Sequence, residues 1–192
     1  VTDVMAESGS NSIYFSTAAA TGGPQDVVVP FGGEYNTGMF VFESDFYLED
    51  NKGAYFNIQG ETTIGALYSM NCQMLHEGTL LIDAGGSPLI TTTYPPETWF
   101  TLTVEVNLNT NDWELYIDGV VQGKFSNPNN QVASADLYPV NNAANGGNNL
   151  AGYFMDNVSY DHTAYTLPTR NLGATQITNT KGLASSNVSP SV

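Results

Sequence analysis

The side chains best suited to chemistry in this chain are tyrosines, amides and carboxylates that alternate with apolar residues in short segments. Tyrosine rings stack on the apolar faces of sugars, and amides and carboxylates hydrogen-bond sugar hydroxyls. On one face of a sheet, such a set predicts a glycan-binding surface. The same pattern also fits the solvated face of an ordinary antiparallel sheet, and only a ligand experiment separates the two interpretations. The residues expected to form this surface are Tyr47, Tyr55, Asn57, Gln59, Asn71, Gln73 and Tyr116, with the carboxylates of Glu43 and Asp45.

Two alternating segments are expected to carry most of this surface. In residues 38–49 apolar side chains alternate with acidic residues and Tyr47, and in residues 54–59 they alternate with Tyr55 and two amides. Successive side chains of a strand point to opposite faces of the sheet. The turn-forming sequence 49–53 therefore predicts a β-hairpin whose phenylalanines face the core and whose two polar faces lie side by side.

The composition limits the classes of partner. The chain has 192 residues, with 4 Lys and Arg against 19 Asp and Glu, and a formal net charge of −15. A negative surface potential repels nucleic-acid phosphates and anionic lipids, so we expect no nucleic-acid partner. A negative surface potential is compatible with neutral glycans or divalent cations as ligands, or with a salty extracellular medium. No apolar stretch approaches the roughly 20 residues that span a bilayer, so we expect no membrane insertion. The single cysteine, Cys72, excludes an internal disulfide and is expected in the core.

The pattern along the chain is typical of an all-β fold, because short alternating runs are separated by Gly, Pro, Asn and Asp. The Asn-rich residues 127–149 are expected to form a long surface loop. We expect a β-sandwich over residues 1–161, followed by a polar C-terminal arm or linker over residues 162–192. The expected strands cover residues 12–16, 26–31, 38–49, 54–59, 66–75, 79–84, 99–108, 113–117, 120–125 and 150–160.

Three segments together carry a resemblance to a known family. They are YFNIQ at residues 55–59, the strand pair and turn of residues 99–119, and FMDNV at residues 154–158. Over residues 10–161 the chain resembles the laminin-G-like, concanavalin-A-like jelly-roll modules of secreted and surface proteins of Bacteroidetes-type bacteria. The resemblance implies an antiparallel β-sandwich of two sheets, one of them curved so that its outer face forms a groove. Such sandwiches include lectins, glycan-binding modules, glycosidases and spacers.

The resemblance also implies a structural calcium ion that joins the last strand to the region of the first. Asp156 matches the acidic residue of the last strand, and Glu7 or Asp3 would supply a second oxygen. Asp156 is in phase with Phe154 and Val158, which predicts an inward carboxylate that needs a cation or several donors. A β-bulge would instead turn Asp156 to the solvent.

The segment ESDFYLE at residues 43–49 resembles the acidic strand of laminarinase-like glycoside hydrolases, with a spacing one residue longer. On an ideal strand Glu43 and Glu49 would lie about 20 Å apart, at roughly 3.4 Å per residue. The two carboxylates of a glycosidase lie about 5 to 9.5 Å apart. Glu105 and Glu114 could come closer across two strands, but nothing marks them as catalytic. We therefore predict no catalytic site.

These observations predict an extracellular, non-catalytic module that binds glycans or mediates adhesion to a cell-surface component. The alternative is a self-assembling subunit of a surface layer or filament, in which residues 162–192 contact another copy of the chain. The sequons at Asn157 and Asn187 would permit glycosylation.

Overall fold

The structure is a computed structural model, and it describes residues 1–17 and 25–166. Within these residues the chain forms twelve strands and one short 3₁₀ turn at Ala143–Asn145. The strands are β1 Ile13–Ser16, β2 Val27–Tyr35, β3 Met39–Leu48, β4 Ala54–Gln59, β5 Tyr68–Met74, β6 Thr79–Asp83, β7 Ile90–Thr93, β8 Phe100–Asn107, β9 Asp112–Ile117, β10 Val120–Phe125, β11 Val132–Leu137 and β12 Gly152–Thr163.

The strands form two six-stranded sheets in which neighbouring strands are antiparallel. The first sheet has the order β1-β12-β3-β8-β9-β10, and the second sheet has the order β2-β11-β4-β5-β6-β7. The molecule is a two-sheet antiparallel β-sandwich of the jelly-roll, concanavalin-A-like type, as the sequence predicts. None of the described residues belongs to a helix that is long and apolar enough to cross a membrane.

The core lies between the sheets and is rich in aromatic side chains. Phe42 and Phe46 of β3 contact Phe56 of β4, with ring centroids 5.6 and 5.7 Å apart. Trp113 and Cys72 are also fully buried. The expected inward positions of these residues are confirmed, because alternation places every second side chain of a strand in the interior. Apolar surface removed from water contributes roughly 25 cal/mol per Å² to folding.

The hairpin predicted over residues 38–59 is wrong. β3 pairs with β12 and β8, whereas β4 pairs with β11 and β5 in the other sheet. Residues 49–53 carry the chain from one sheet to the other, and the Gly53 amide donates to the Leu150 carbonyl at 2.9 Å. Two strands that each have one apolar face can lie side by side or face each other. Facing each other lets β3 and β4 bury their phenylalanines against one another.

The predicted loop over residues 127–149 is also wrong in part, because it contains β11. Every residue of this strand is buried, and the strand lies between β2 and β4 in the second sheet. Its sequence, VASADL, contains one β-branched residue, Val132, and none of the aromatic residues that also mark strands. The strand is buried because it lies between β2 and β4, and not because its own sequence has a strongly apolar pattern. The short edge strand β7 was not predicted either.

The C-terminal boundary is described only in part. β12 continues to Thr163, two residues beyond the predicted end of the sandwich, and residues 164–166 follow without regular structure. Residues 167–192, which form most of the predicted arm and include Asn187, lie outside the described residues. The arm and its role in assembly therefore stay predictions.

Candidate functional site

A row of four polar side chains crosses the outer face of the second sheet. Asp136 of β11 lies opposite Asn57 of β4, Asn57 lies opposite Asn71 of β5, and Asn71 lies opposite Asp83 of β6. Side chains directly opposite on neighbouring strands are about 5 Å apart, close enough to interact. The row points away from the core because Phe56 and its apolar neighbours point into it. We call these four residues the polar row.

The hydrogen bonds of the polar row have a fixed direction. The side-chain amide of Asn57 donates to Asp136 Oδ2 at 3.3 Å, and that of Asn71 donates to Asp83 Oδ1 at 2.7 Å. An ionised carboxylate only accepts hydrogen bonds, so each asparagine must turn its NH₂ group toward the aspartate. The side-chain oxygen of Asn57, Oδ1, accepts a hydrogen bond from Gln59 Nε2. The backbone amide of Gly65 donates to Gln59 Oε1 at 3.0 Å. The outward-facing polar side chains of β4 are thus fixed by hydrogen bonds to each other and to neighbouring parts of the chain.

A cleft of about 320 Å³ opens over one end of the polar row. Its floor is formed by β4, β5 and β6, and its walls by Gly85 and Gly86, after β6, and by the loop that follows β11. Asn142 caps the 3₁₀ turn in that loop by accepting a hydrogen bond from the Ala144 amide. We call this pocket the amide cleft. Its lining residues are Tyr55, Asn71, Gln73, Asp83, Gly85, Gly86, Tyr138, Val140, Asn142 and Asn145.

Two tyrosines form the aromatic part of the amide cleft. The rings of Tyr55 and Tyr138 have centroids 4.8 Å apart and are tilted by 51°. The Tyr55 hydroxyl donates to Asn71 Oδ1 at 2.6 Å. Burial raises the pKa of both tyrosines, so both hydroxyls stay protonated at physiological pH. The site therefore offers ring faces and hydroxyl groups, and not phenolate charge.

Asp83 organises the opposite side of the cleft. Its Oδ1 accepts from Asn71 and from the Gly85 amide at 2.9 Å, and its Oδ2 accepts from Gln73 Nε2 at 3.1 Å. Its side chain is buried, and these three donors compensate for the loss of water around the charge. Sequence reasoning missed both Asp83 and Tyr138. Alternation along Thr79–Asp83 could have identified the aspartate, but Tyr138 depends on the unpredicted β11.

The structure divides the predicted glycan-binding residues between two opposite surfaces. Tyr55, Asn71 and Gln73 line the amide cleft, as a binding role requires. Asn57 and Gln59 lie on the same face but are fully buried, so they support the cleft and do not line it. The remaining predicted residues lie on the outer face of the first sheet, which makes the prediction of one continuous polar wall wrong. They are Glu43, Asp45, Tyr47 and Tyr116.

On the first sheet these residues bond mainly to their immediate neighbours. Thr101 Oγ1 donates to Asp45 at 2.6 Å, and Thr103 Oγ1 donates to Glu43 at 2.9 Å. Tyr47 packs against Trp99 and Phe154, with ring centroids 5.7 and 6.1 Å away. A further group surrounds Glu114, which accepts from Tyr116 at 2.6 Å and from Lys124 at 2.9 Å.

The surroundings of Glu114, one of two carboxylates that face each other across β8 and β9, do not suit a general acid. Glu105 and Glu114 lie directly opposite each other on β8 and β9. The hydrogen bond from Tyr116, and then that from Lys124, lower the pKa of Glu114. A glycosidase acid needs a raised pKa in order to hold its proton near neutral pH. The arrangement around Glu114 has the opposite effect.

The expectation that Asp156 points inward is wrong. Tyr153 and Met155 of β12 point into the core, so Asp156 lies on the outer side, just before a register shift between Asp156 and Ser159. Its Oδ2 accepts from the amides of Glu7 and Ser8 at 3.0 and 3.1 Å, and its Oδ1 accepts from the Asn157 amide at 2.8 Å. Direct hydrogen bonds thus join the N-terminal segment to the last strand.

These contacts do not fit a calcium ligand set. Both oxygens of Asp156 are directed at N–H groups, which would oppose a bound cation. The Glu7 carboxylate accepts from Asn157 Nδ2 at 2.7 Å, and the same nitrogen donates to Asp45 at 2.7 Å. Across residues 1–17 and 25–166, no three His, Cys, Asp or Glu side chains are grouped so that they could hold a metal. Calcium binding itself stays a prediction.

Comparisons with known proteins identify the fold. No protein-family model and no curated protein matches the sequence. Among solved structures, a sialidase matches with a TM-score of 0.53 and 14% identity over 72% of this chain, which covers 14% of the sialidase. Galectin LEC-6 of Caenorhabditis elegans matches with a TM-score of 0.51 and 12% identity, over 78% of this chain and 96% of the galectin. The carbohydrate-binding module CBM66 of Bacillus subtilis matches with a TM-score of 0.50 and 13% identity, over 79% of this chain and 92% of the module. At these identities the likeness establishes a shared jelly-roll architecture.

Proposed function

We propose that the protein is a non-catalytic glycan-binding module and that the amide cleft is its binding site. The observation that carries the proposal is the convergence of two tyrosines, four side-chain amides and one carboxylate in a single cleft of about 320 Å³. Ligand pockets commonly have volumes of about 300 to 1,000 Å³. The amide cleft is at the lower end of that range, and it suits one or two sugar residues of a longer chain.

The chemistry of the cleft supports a sugar over an apolar ligand. Val140 is the one aliphatic side chain among the described lining residues, whereas tyrosines, amides and Asp83 form most of the surface. Sugars combine apolar C–H faces with hydroxyl groups, and this combination needs aromatic rings beside hydrogen-bonding groups. The names of two proteins with this fold, a galectin and a carbohydrate-binding module, support the same class of ligand.

The proposal includes a location outside the cell and, through glycans of a cell surface, a role in adhesion. The strongly acidic composition supports this location, because salt in an extracellular medium screens the repulsion between surface carboxylates. Exposure of the protein to added protease on intact source cells would test it. Full protection from the protease in intact cells, with digestion after lysis, would contradict an outer location.

A substitution in the wall of the cleft tests the binding site with little risk to the fold. A Cβ atom built at Gly86 meets no atom within 4 Å, and the residue has no left-handed backbone conformation. Gly86→Trp would therefore place an indole in the cleft without straining the backbone, and Gly86→Ala is the matched control.

We expect binding to a panel of polysaccharides, measured by affinity electrophoresis, to be lost in Gly86→Trp and kept in Gly86→Ala. The thermal unfolding midpoints of both variants should stay close to that of the parent. Equal binding by the parent and Gly86→Trp would exclude the amide cleft as the binding site.

A further inference from the structure

We infer that the amide cleft selects uncharged sugars through their hydroxyl donors and excludes carboxylated and sulfated glycans. This inference rests on the proposed function, because it concerns the ligand of the same cleft.

The first argument is that the donors on the floor of the cleft, around Asp83, already have partners. Asn71 and Gln73 both direct an NH₂ group at Asp83, and the Gly85 amide donates to the same carboxylate. The Tyr55 hydroxyl proton is directed at the carbonyl oxygen of Asn71. On this floor the groups that remain for a ligand are therefore acceptors, chiefly the side-chain carbonyl oxygen of Gln73 and the oxygens of Asp83. Asn142 and Asn145 contribute further side-chain amides to the wall of the cleft.

The direction of these bonds is a chemical necessity and not a choice between equivalent rotamers. Asp83 can only accept, so rotation of either amide by 180° would turn a carbonyl oxygen toward a buried carboxylate. Two acceptors facing each other without a proton would cost roughly the free energy of an unsatisfied buried group, about 1–3 kcal/mol or more. Asp83 thus determines the direction of the hydrogen bonds on the floor of the cleft.

The second argument is the charge around the cleft. Neither of the lysines in the described residues, Lys52 and Lys124, is a lining residue, and the lining contains no arginine or histidine. Lys124 lies on the first sheet, where its ammonium group is 2.9 Å from Glu114. A carboxylate or sulfate in the cleft would lie near Asp83 with no cation among these residues to balance its charge.

A sugar hydroxyl can donate and accept, whereas a carboxylate or sulfate oxygen can only accept. A ligand group that reaches the acceptor-rich floor around Asp83 gains hydrogen bonds there only through donors. Neutral sugars meet this requirement at every hydroxyl. A carboxylate or sulfate in the same position would instead place its acceptor oxygens against the acceptor oxygens of the protein. The expected discrimination is at least tenfold in affinity.

The test compares a neutral polysaccharide that binds the protein with the same polysaccharide after oxidation of its primary hydroxyls to carboxylates. Affinity electrophoresis of the full chain, at low and at high sodium chloride concentration, measures the affinity for each of the two polysaccharides. We expect at least tenfold weaker binding to the oxidised form at both salt concentrations, because the acceptor mismatch persists when long-range repulsion is screened. We expect Asp83→Asn to reduce the difference in affinity between the neutral and the oxidised polysaccharide, because it removes the charge and frees the amides of Asn71 and Gln73 to rotate.

The outcomes separate this inference from the proposed function. Equal or tighter binding to the oxidised form, lost in Gly86→Trp, would overturn the selection for uncharged sugars and leave the amide cleft as a glycan site. Failure of the parent protein to bind any polysaccharide would overturn the proposed function and this inference with it.

Discussion

The outer faces of the two sheets carry the same kinds of side chain and differ in how those side chains are arranged. On the second sheet four strands align the polar row in register, and two loops form walls above one end of it. On the first sheet Glu43 and Asp45 accept hydrogen bonds from threonines of the adjacent strand. Carboxylates, amides and tyrosines on a strand therefore do not make a site by themselves. Register across several strands and enclosing loops turn one of these two polar faces into a cleft.

The largest expected difference between the two faces is in stability. Asn57→Ala removes the donor to Asp136 and the acceptor for Gln59, and it leaves two buried polar groups without partners. We expect a loss of about 2–4 kcal/mol in the free energy of unfolding. The matched variant Glu43→Ala, on the exposed part of the first sheet, should cost about 0.5 kcal/mol or less. Urea unfolding of both variants measures the difference, and similar costs would contradict the contrast between the faces.

The next effect is a pH dependence that Asp136 gives to the second sheet. Burial, and then the neighbouring Asp26 carboxyl, raise the pKa of Asp136 to about 6, above its ordinary value of 3.8. The folded state therefore binds more protons than the unfolded chain between these pH values, and stability falls as the pH rises through this range. Asp136→Asn should remove this loss. A pKa difference of this size corresponds to about 3 kcal/mol at most, and solvent near the carboxylate reduces it, so we expect a gain of about 1–3 kcal/mol at pH 8 and almost none at pH 4.

Urea unfolding of the parent and of Asp136→Asn between pH 4 and pH 8 tests this expectation. The difference between the two proteins should grow with pH and then level off above pH 6. Asp26→Asn, at an exposed position, should give a smaller gain of the same sign. A difference that is independent of pH would show that Asp136 titrates normally in the folded protein.

The third prediction concerns binding. Tyr138→Ala removes one of the two rings of the amide cleft, and we expect at least a tenfold loss of glycan affinity, about 1.4 kcal/mol. Tyr47→Ala is the matched variant on the first sheet and should leave the affinity unchanged. Affinity electrophoresis of both variants against the same polysaccharide compares the faces directly. Loss of binding in Tyr47→Ala alone would move the site to the first sheet.

The smallest expected effect concerns calcium. Both Asp156 oxygens accept from backbone amides, so the link between the N-terminal segment and β12 needs no cation. We expect the thermal unfolding midpoint to stay the same after treatment with a chelator and after addition of calcium. An increase of several degrees with calcium would restore the calcium site implied by the family resemblance.

Part of the candidate site was predictable from single strands. Tyr55, Asn71 and Gln73 were expected at outward positions because their neighbours Phe56, Cys72 and Met74 are apolar. Tyr138 and the walls of the cleft were not predictable, because β11 has too little apolar and β-branched character to be identified as a strand. Asp136 was missed for the same reason, although it lies at the end of the polar row.

The amino-acid sequence alone determined the all-β class, the inward faces of most strands and the strongly negative charge, because alternation and composition are properties of each segment. Only the tertiary structure decided that β3 and β4 face each other across the core, and that Asn57 lies between Asp136 and Asn71. Strand pairing is chosen by contacts between residues far apart in the chain, and several pairings bury the same apolar faces. The pattern within one strand therefore specifies which side chains point outward, and the pairing of strands specifies which of those side chains meet.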